Sequence, residues 1–350
     1  MIFLLSKINR IFRKITLQKV AVIVFFIDFK CVILGSGFFI GKVNNVRMSK
    51  NVKGSLMVLI AGTAWGISGV SGQYLMAHGM NVDLLSCVRL IISGVIMTAI
   101  AALNQRETFI KAVTSLKTLG GIAIFSFIGL VMNQYAYLRA IESTNAGTAT
   151  VIQYMAPILV LAYVSVRKKQ LPRGSEILAI ILAILGTFVI ATHGHLDGLA
   201  ITPKGFAWGL FSAVTYSFYI ILPAKLIREF GSFAVIGLGM LMGGVAFPIL
   251  VNPWQYKLEL NPGNLLGLFG IIIVGTVFAY SLFLMGTCII GPVKGSLLAA
   301  IEPVSSVFFS VTVMHEIFYP MDFLGMIFII AAVILISLRD LVVVNKQLHQ

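Results

Sequence analysis

Apolar residues run for about 20 positions at a stretch along this chain, and polar or charged residues gather in the breaks between runs. A run of that length suits a helix crossing a bilayer, at about 1.5 Å per residue through about 30 Å of hydrocarbon. Strands of a membrane barrel would alternate over about 10 residues instead, so the pattern predicts helices. Between charged or Pro/Gly-rich breaks the runs give ten spans, near 54–76, 83–103, 118–138, 146–166, 175–192, 205–223, 232–251, 264–286, 292–313 and 321–338.

The pattern also repeats. Residues 119–191 lie on 265–337 at a constant shift of 146 without a gap, so that Gly121 meets Gly267, Gly129 meets Gly275, Leu138 meets Leu284 and Pro157 meets Pro303. A shift of 151 sets Lys53-Gly54 on Lys204-Gly205 and Trp65 on Tyr216. Residues 48–192 therefore form one copy of a unit and 203–340 a second, each with five spans, and 341–350 are left as a tail. An odd number of spans makes the second copy enter the membrane upside down relative to the first. The expected fold is an all-α integral membrane protein of ten transmembrane helices, arranged as two inverted five-helix repeats.

Composition narrows the class further. Of 350 residues, 59% are hydrophobic and 11% charged, with a mean hydropathy of +0.99; a soluble domain of this size would need far more polar surface. With Lys50 and Lys53 on the cytoplasmic side, that side also collects Arg106, Lys111, Lys117, Arg167, Lys168, Lys169, Arg173, Lys225, Arg228, Arg339 and Lys346, thirteen in all. Only three basic residues, Arg139, Lys204 and Lys257, then lie outside. This positive-inside bias predicts a multi-pass protein of the cell membrane with both ends of the ten-span core in the cytoplasm. The net charge of +14 is then mostly loop basicity facing anionic lipid, and nucleic acid is not an expected partner. The cysteines Cys31, Cys87 and Cys288 are scattered through apolar runs and suggest neither a disulfide framework nor a metal site.

Residues 1–47 fit this plan badly. They hold eight Lys/Arg and one acid, Asp28. The run 20–40 resembles an eleventh span, but Asp28 and Lys30 near its middle each cost about 2.5–3.5 kcal/mol on insertion scales. A further span, or a cleaved signal peptide, would also deliver the next segment to the wrong side. Two readings stand: translation starts at Met48, or 1–47 form a peripheral basic helix on the inner leaflet.

Several blocks carry a family resemblance: Gly62-Thr63-Ala64-Trp65-Gly66 in the first span, Arg89-Leu90-Ile91-Ile92-Ser93-Gly94 in the second, and the segment from Tyr135 to Ala146 leading to Ala156-Pro157. In the second copy Glu302-Pro303, His315-Glu316 and Gly325 take up the order. From Lys53 to the last span, the chain resembles the EamA-type branch of the drug/metabolite transporter superfamily. The resemblance implies a central cavity lined mainly by spans one to four and six to nine, with spans five and ten at the periphery or in a homodimer contact. It implies transport of small metabolites, such as amino acids or other organic solutes, often as export; no cofactor is expected. Many members carry a lysine near the outer end of span one, where this chain reads Gly72-Gln73, so a substrate inferred through that lysine does not carry over.

Among single residues Glu302 stands out, because a carboxylate about ten residues into the ninth span needs a partner or water. Pro303 behind it removes a backbone donor and frees carbonyls one turn back, and Pro157 does the same in the first copy. Glu302 reads either as a substrate-ammonium or proton-carrying site, or as a structural acid joining two helices; its counterpart is Ala156. Lys294, opposite Thr148 in the repeat and about 12 Å along the same helix from Glu302, either snorkels to the interface or makes an anion or gating contact. Arg89 is too deep for a loop charge, and a pair with Glu302 or a helix end is one reading of it.

Trp65, Tyr135, Tyr137, Tyr216, Tyr219 and Tyr280, with the amides Asn133, Gln134 and Gln153, could sort substrates by stacking and hydrogen bonding, or serve as packing between helices. The glycine faces Gly62/Gly66/Gly69 and Gly239/Gly243 predict close helix approach. Arg139 and Glu142 read as a surface pair. His193 and His195 are weak grounds for a metal.

These features together predict a secondary transporter for a small organic solute, working by alternating access about a midplane site. No phosphate-binding loop is present in the sequence, so energy coupling should come from an ion or solute gradient. A membrane-embedded enzyme or a passive channel are the rival classes.

Overall fold

The computed structural model describes residues 49–143, 149, 152–169, 174–192 and 203–314, with parts of 320–335. These belong to a unit spanning Met48–Gln350. Residues 1–47, Thr148, His193, His195, the His315-Glu316 block and the tail 341–350 lie outside the described residues.

Among the described residues every long element is helical and no strand occurs. In chain order the helices are α1 Lys50–Ala77, α2 Val82–Asn104, α3 Arg106–Thr114, α4 Leu116–Ser143, α5 Ala156–Lys168, α6 Gly174–Thr192, α7 Pro203–Ile221, α8 Ala224–Phe230, α9 Ser232–Val251, α10 Pro262–Ile290, α11 Pro292–Leu298, α12 Ile301–Met314 and α13 Phe323–Ala332. Seven stretches are long and apolar enough to cross a membrane: α1, α2, α4, α7 with α8, α9, α10, and α11 with α12. They coincide with the expected spans one, two, three, six, seven, eight and nine. The expected fourth, fifth and tenth spans fall on α5, α6 and α13, whose described apolar stretches are shorter and which adjoin residues outside the description.

Local chemistry sets the helix ends. The Ser49 hydroxyl accepts from the Val52 amide at 3.3 Å, and Asn81 Oδ1 accepts from the Asp83 amide at 2.7 Å, so each long helix of the first pair starts on a polar cap. Asn261 does the same for α10, followed by Pro262 at the first helical position. Between α10 and α11 the chain turns at Gly291 with φ of 91°, a conformation open to glycine, and Pro292 then begins α11.

Neither π-helical stretch was visible in the sequence pattern. One, Phe125–Val131, interrupts α4, and the other, Gly270–Phe278, interrupts α10. At the repeat shift of 146 the first falls inside the second, so the irregularity is duplicated along with the apolar runs. Such stretches are rare and cluster at functional sites.

Packing follows the same duplication. α1 packs on α10 and α12, while its repeat mate α7 packs on α4 and α5; α2 meets the π stretch of α10, and α9 meets that of α4. α2 and α9 pack on each other. Almost every large contact therefore joins one copy to the other. Small residues make the approach close, as expected where lipid supplies no hydrophobic drive between helices. A Cβ on Gly275 would fall 2.1 Å from Ser68 Cβ, and one on Gly129 would fall 3.0 Å from the Tyr219 Cα. These are equivalent contacts, since Ser68 and Tyr219 are 151 apart and the two glycines 146 apart.

Candidate solute cavity

A cavity of about 50 Å³ lies among helices of both copies, room for a few water molecules. From α1 come Trp65, Ser68, Gly69 and Gly72, from α2 Arg89, and from α4 Asn133, Gln134, Tyr137, Leu138 and Ile141. Gln153 precedes α5, Tyr216 lies on α7, Ile271 and Tyr280 on α10, and Glu302 on α12. Nine of the expected site residues therefore share one cavity. Tyr135, Tyr219 and Lys294 are not in its wall, and Ser68 is a wall residue that its type and spacing did not flag.

Arg89 and Glu302 are the charged members, 6% and 9% exposed. The Arg89–Glu302 pair, one of the readings of Arg89, does not form; Arg139 pairs with Asp83 and Glu142 instead of leaving either acid to Arg89. Arg89 Nε instead donates to Thr276 Oγ1 at 2.7 Å, Nη2 donates to Tyr280 Oη at 3.4 Å, and the guanidinium lies 5.4 Å from the Tyr280 ring centroid. Hydroxyls and a π face take the place of an acid because Thr276 and Tyr280 lie on the helix packed against α2.

Glu302 is held more loosely. The Tyr154 hydroxyl approaches Glu302 Oε2 at 3.5 Å but makes its shorter bond, 2.7 Å, to the Ala299 carbonyl. That carbonyl is the one Pro303 cannot use, since Pro303 has no amide hydrogen. The helix break expected at Pro303 is present, with a turn at 299–300 before α12, and a turn at 154–155 precedes Pro157 in α5. The Ala299 carbonyl accepts from the Glu302 amide at 2.9 Å as well as from the Tyr154 hydroxyl, so it is not left unpaired. Tyr154 escaped the sequence reading because it carries no charge and its partners are 145 and 148 residues away.

Aromatic rings form much of the rest of the cavity wall. Trp65 donates through Nε1 to the Gly275 carbonyl at 3.1 Å and sits 5.5 Å from Tyr280, 6.2 Å from Tyr216 and 4.7 Å from Phe283. Tyr219 stands behind this layer, fully buried and stacked on Tyr216 and Phe125, so it packs the wall and does not line it. Gln153 donates to Asn133 Oδ1 at 3.2 Å. Lys294 is half-buried on α11, outside the cavity wall.

Tyr135 belongs to a second cluster. Its hydroxyl donates to Asp83 Oδ1 at 3.0 Å and accepts from Arg139 Nε at 2.8 Å, while Arg139 pairs with Asp83 and Glu142 at 2.6 Å each. Its ring meets Trp208 and Phe247 of the second copy edge-on, at 5.7 and 5.0 Å. The expected Arg139–Glu142 surface pair is therefore the exposed limb of a larger network. Removing Asp83 leaves the half-buried Arg139 with the Tyr135 hydroxyl and the exposed Glu142 limb alone, so Asp83→Asn is expected to cost about 1–3 kcal/mol of stability, whereas Glu142→Gln costs under about 0.5 kcal/mol. Thermal unfolding of the two purified variants checks the contrast; equal shifts would refute it.

The profile of the EamA-like transporter family matches residues 52–192 and again 203–338. The uncharacterized inner membrane transporter YicL of Salmonella typhimurium is 33% identical over 296 residues, 83% of this chain and 97% of the relative. An uncharacterized transporter of Synechocystis is 23% identical over 84% of this chain and 92% of its own length. A solved crystal structure matches with a TM-score of 0.64 at 16% identity, over 82% of this chain and 97% of its own, a likeness of fold alone. The two family matches meet the two sequence copies at nearly the same borders. With its apolar helices and duplicated packing, this membrane protein belongs to the EamA-like transporter family.

Proposed function

We propose that the protein is a secondary transporter that exports a small organic metabolite, such as an amino acid or amine, across the cell membrane. The carrying observation is the cavity itself: Arg89 of the first copy and Glu302 of the second are buried in one aromatic-walled space, without an ion pair between them. Two charges kept apart inside a membrane protein suit a solute that supplies the missing partners. The exchange of packing partners between copies supports ten spans in two inverted repeats, rocking about this site by alternating access. The cytoplasmic surplus of basic residues supports placing both ends of the ten-span core inside.

A transporter is favoured over an enzyme because, among the described residues, the cavity holds one carboxylate and neither a second acid nor a histidine to activate the hydroxyls beside it. A carrier and a channel separate in one experiment. In proteoliposomes, uptake of a labelled solute is expected to saturate and to be accelerated by unlabelled solute trapped inside. Linear flux without counterflow would instead identify a pore.

A further inference from the structure

We infer that Arg89 and Gln134 form a carboxylate subsite in this cavity, and that Thr276, which does not line it, is the residue that positions Arg89. The inference rests on the transport reading for its biological meaning, but its chemistry stands on the geometry.

Arg89 is a buried cation with no acid in an ion pair with it among the described residues. Its Nε and Nη2 are taken by Thr276 and Tyr280, and no bond to Nη1 is made within the described residues. Gln134 is 3% exposed, lines the same cavity beside the Tyr280 hydroxyl, and neither its Oε1 nor its Nε2 reaches regular hydrogen-bond geometry. A buried amide whose near partner, the Tyr280 hydroxyl, lies outside regular geometry is costly unless something completes it. Arg89 and Gln134 line one cavity and both lie beside the Tyr280 hydroxyl, so their N–H groups can be offered to one ligand, and a carboxylate accepts such donors. Glu302 in the same cavity argues against a dianion. One guanidinium balances one negative charge, so a phosphate would leave an excess beside an existing acid.

Thr276 fixes the direction of the donors. Its hydroxyl donates to the Ile271 carbonyl, five residues back in the π stretch, at 2.7 Å. With its single hydrogen committed there, Oγ1 has only lone pairs to offer Arg89 Nε. The guanidinium is thereby anchored by its Nε side. The first copy keeps the π stretch but not this anchor: Leu130 stands at the position of Thr276, and Gly239 at that of Arg89 when the shift of 150 that relates Gly94 to Gly244 is applied. The anchor is therefore specific to the one copy that faces Arg89.

Matched solutes test this on the purified, full-length protein at fixed ionic strength, read by thermal unfolding and by tryptophan fluorescence. The probes are L-leucine, its deaminated acid, L-leucinamide, the same three derivatives of L-alanine, and inorganic phosphate. Both carboxylate forms of at least one set are expected to stabilise the protein, and the amides and phosphate are not. Arg89→Gln should weaken the carboxylate response by about 10- to 100-fold, as expected for losing a hydrogen-bonded charge. Thr276→Val should weaken it while Thr276→Ser restores it, with the unliganded melting temperature of both close to the parent. That rescue separates positioning from general packing. The proposal is overturned if no carboxylate acts, if amides or phosphate act as well as carboxylates, or if Thr276→Val binds like the parent. Saturable counterflow without a carboxylate preference would sink the subsite and leave the transporter standing; carboxylate binding without flux would do the reverse.

Discussion

Gly66→Ala is expected to destabilise the protein by about 2–3 kcal/mol, the upper part of the range for overpacking a tight contact. A Cβ at Gly66 would lie 2.2 Å from Ser305 Oγ, 2.7 Å from the Ser306 amide nitrogen and 2.8 Å from the Ser305 carbonyl carbon. The first could rotate away, but the other two are backbone of α12 and can yield only if the helices part. Gly69, three residues further along α1, supplies the control: its nearest neighbour for a new Cβ is Ser306 Oγ at 3.9 Å. Gly69→Ala should therefore be neutral or stabilising by up to about 1 kcal/mol, the helix-propensity difference. Melting temperatures in detergent, measured side by side, decide the matter, and a stable Gly66→Ala protein would show that α1 and α12 are less tightly apposed than described.

The second large effect is expected at Glu302. If solute flux in proteoliposomes varies with pH because this carboxyl gains and loses a proton, Glu302→Gln should carry solute at a rate independent of pH. The substitution is nearly isosteric and preserves an acceptor for the Tyr154 hydroxyl, so the fold should persist. No cation forms an ion pair with Glu302 among the described residues, so nothing in the cavity wall pins it in one charge state by direct contact. A Glu302→Gln protein whose flux keeps the parent's pH profile would remove Glu302 from proton coupling. Unchanged size-exclusion behaviour would show that any loss arises in the site and not from unfolding.

Much of the fold is legible in the chain because a bilayer accepts few solutions. Runs of apolar residues long enough to cross it must be helices, and the repeat shift alone pairs α1 with α7 and α2 with α9. The borders also read well, as with the expected 54–76 against Lys50–Ala77. What could not be read depends on contacts across long sequence separations. A π stretch leaves the same apolar signature as an α-helix, so Phe125–Val131 and Gly270–Phe278 were hidden.

Charges were legible as isolated, costly residues, which is why Arg89 and Glu302 could be named as candidates. Their partners were not: Thr276 and Tyr280 are ordinary residues in apolar runs, 187 and 191 positions from Arg89. Arg139 was assigned its near neighbour Glu142, and its partner Asp83, 56 residues away, was missed. Tyr135 and Tyr219 were placed with the cavity because residue type and depth cannot tell a ring in the wall from one behind it.

The exchange of packing partners bears on how the chain is made. α1, α2 and α4 leave the ribosome well before α7, α9 and α10 exist, yet those later helices are the surfaces they are shaped to meet. Until the second copy is inserted, Gly66, Gly94 and Gly129 line grooves with nothing in them, and Arg89 has neither hydroxyl to bond. The first half on its own makes only its smaller contacts, so most of the tertiary packing forms at the end of synthesis, when the last long helices close both sets of grooves together.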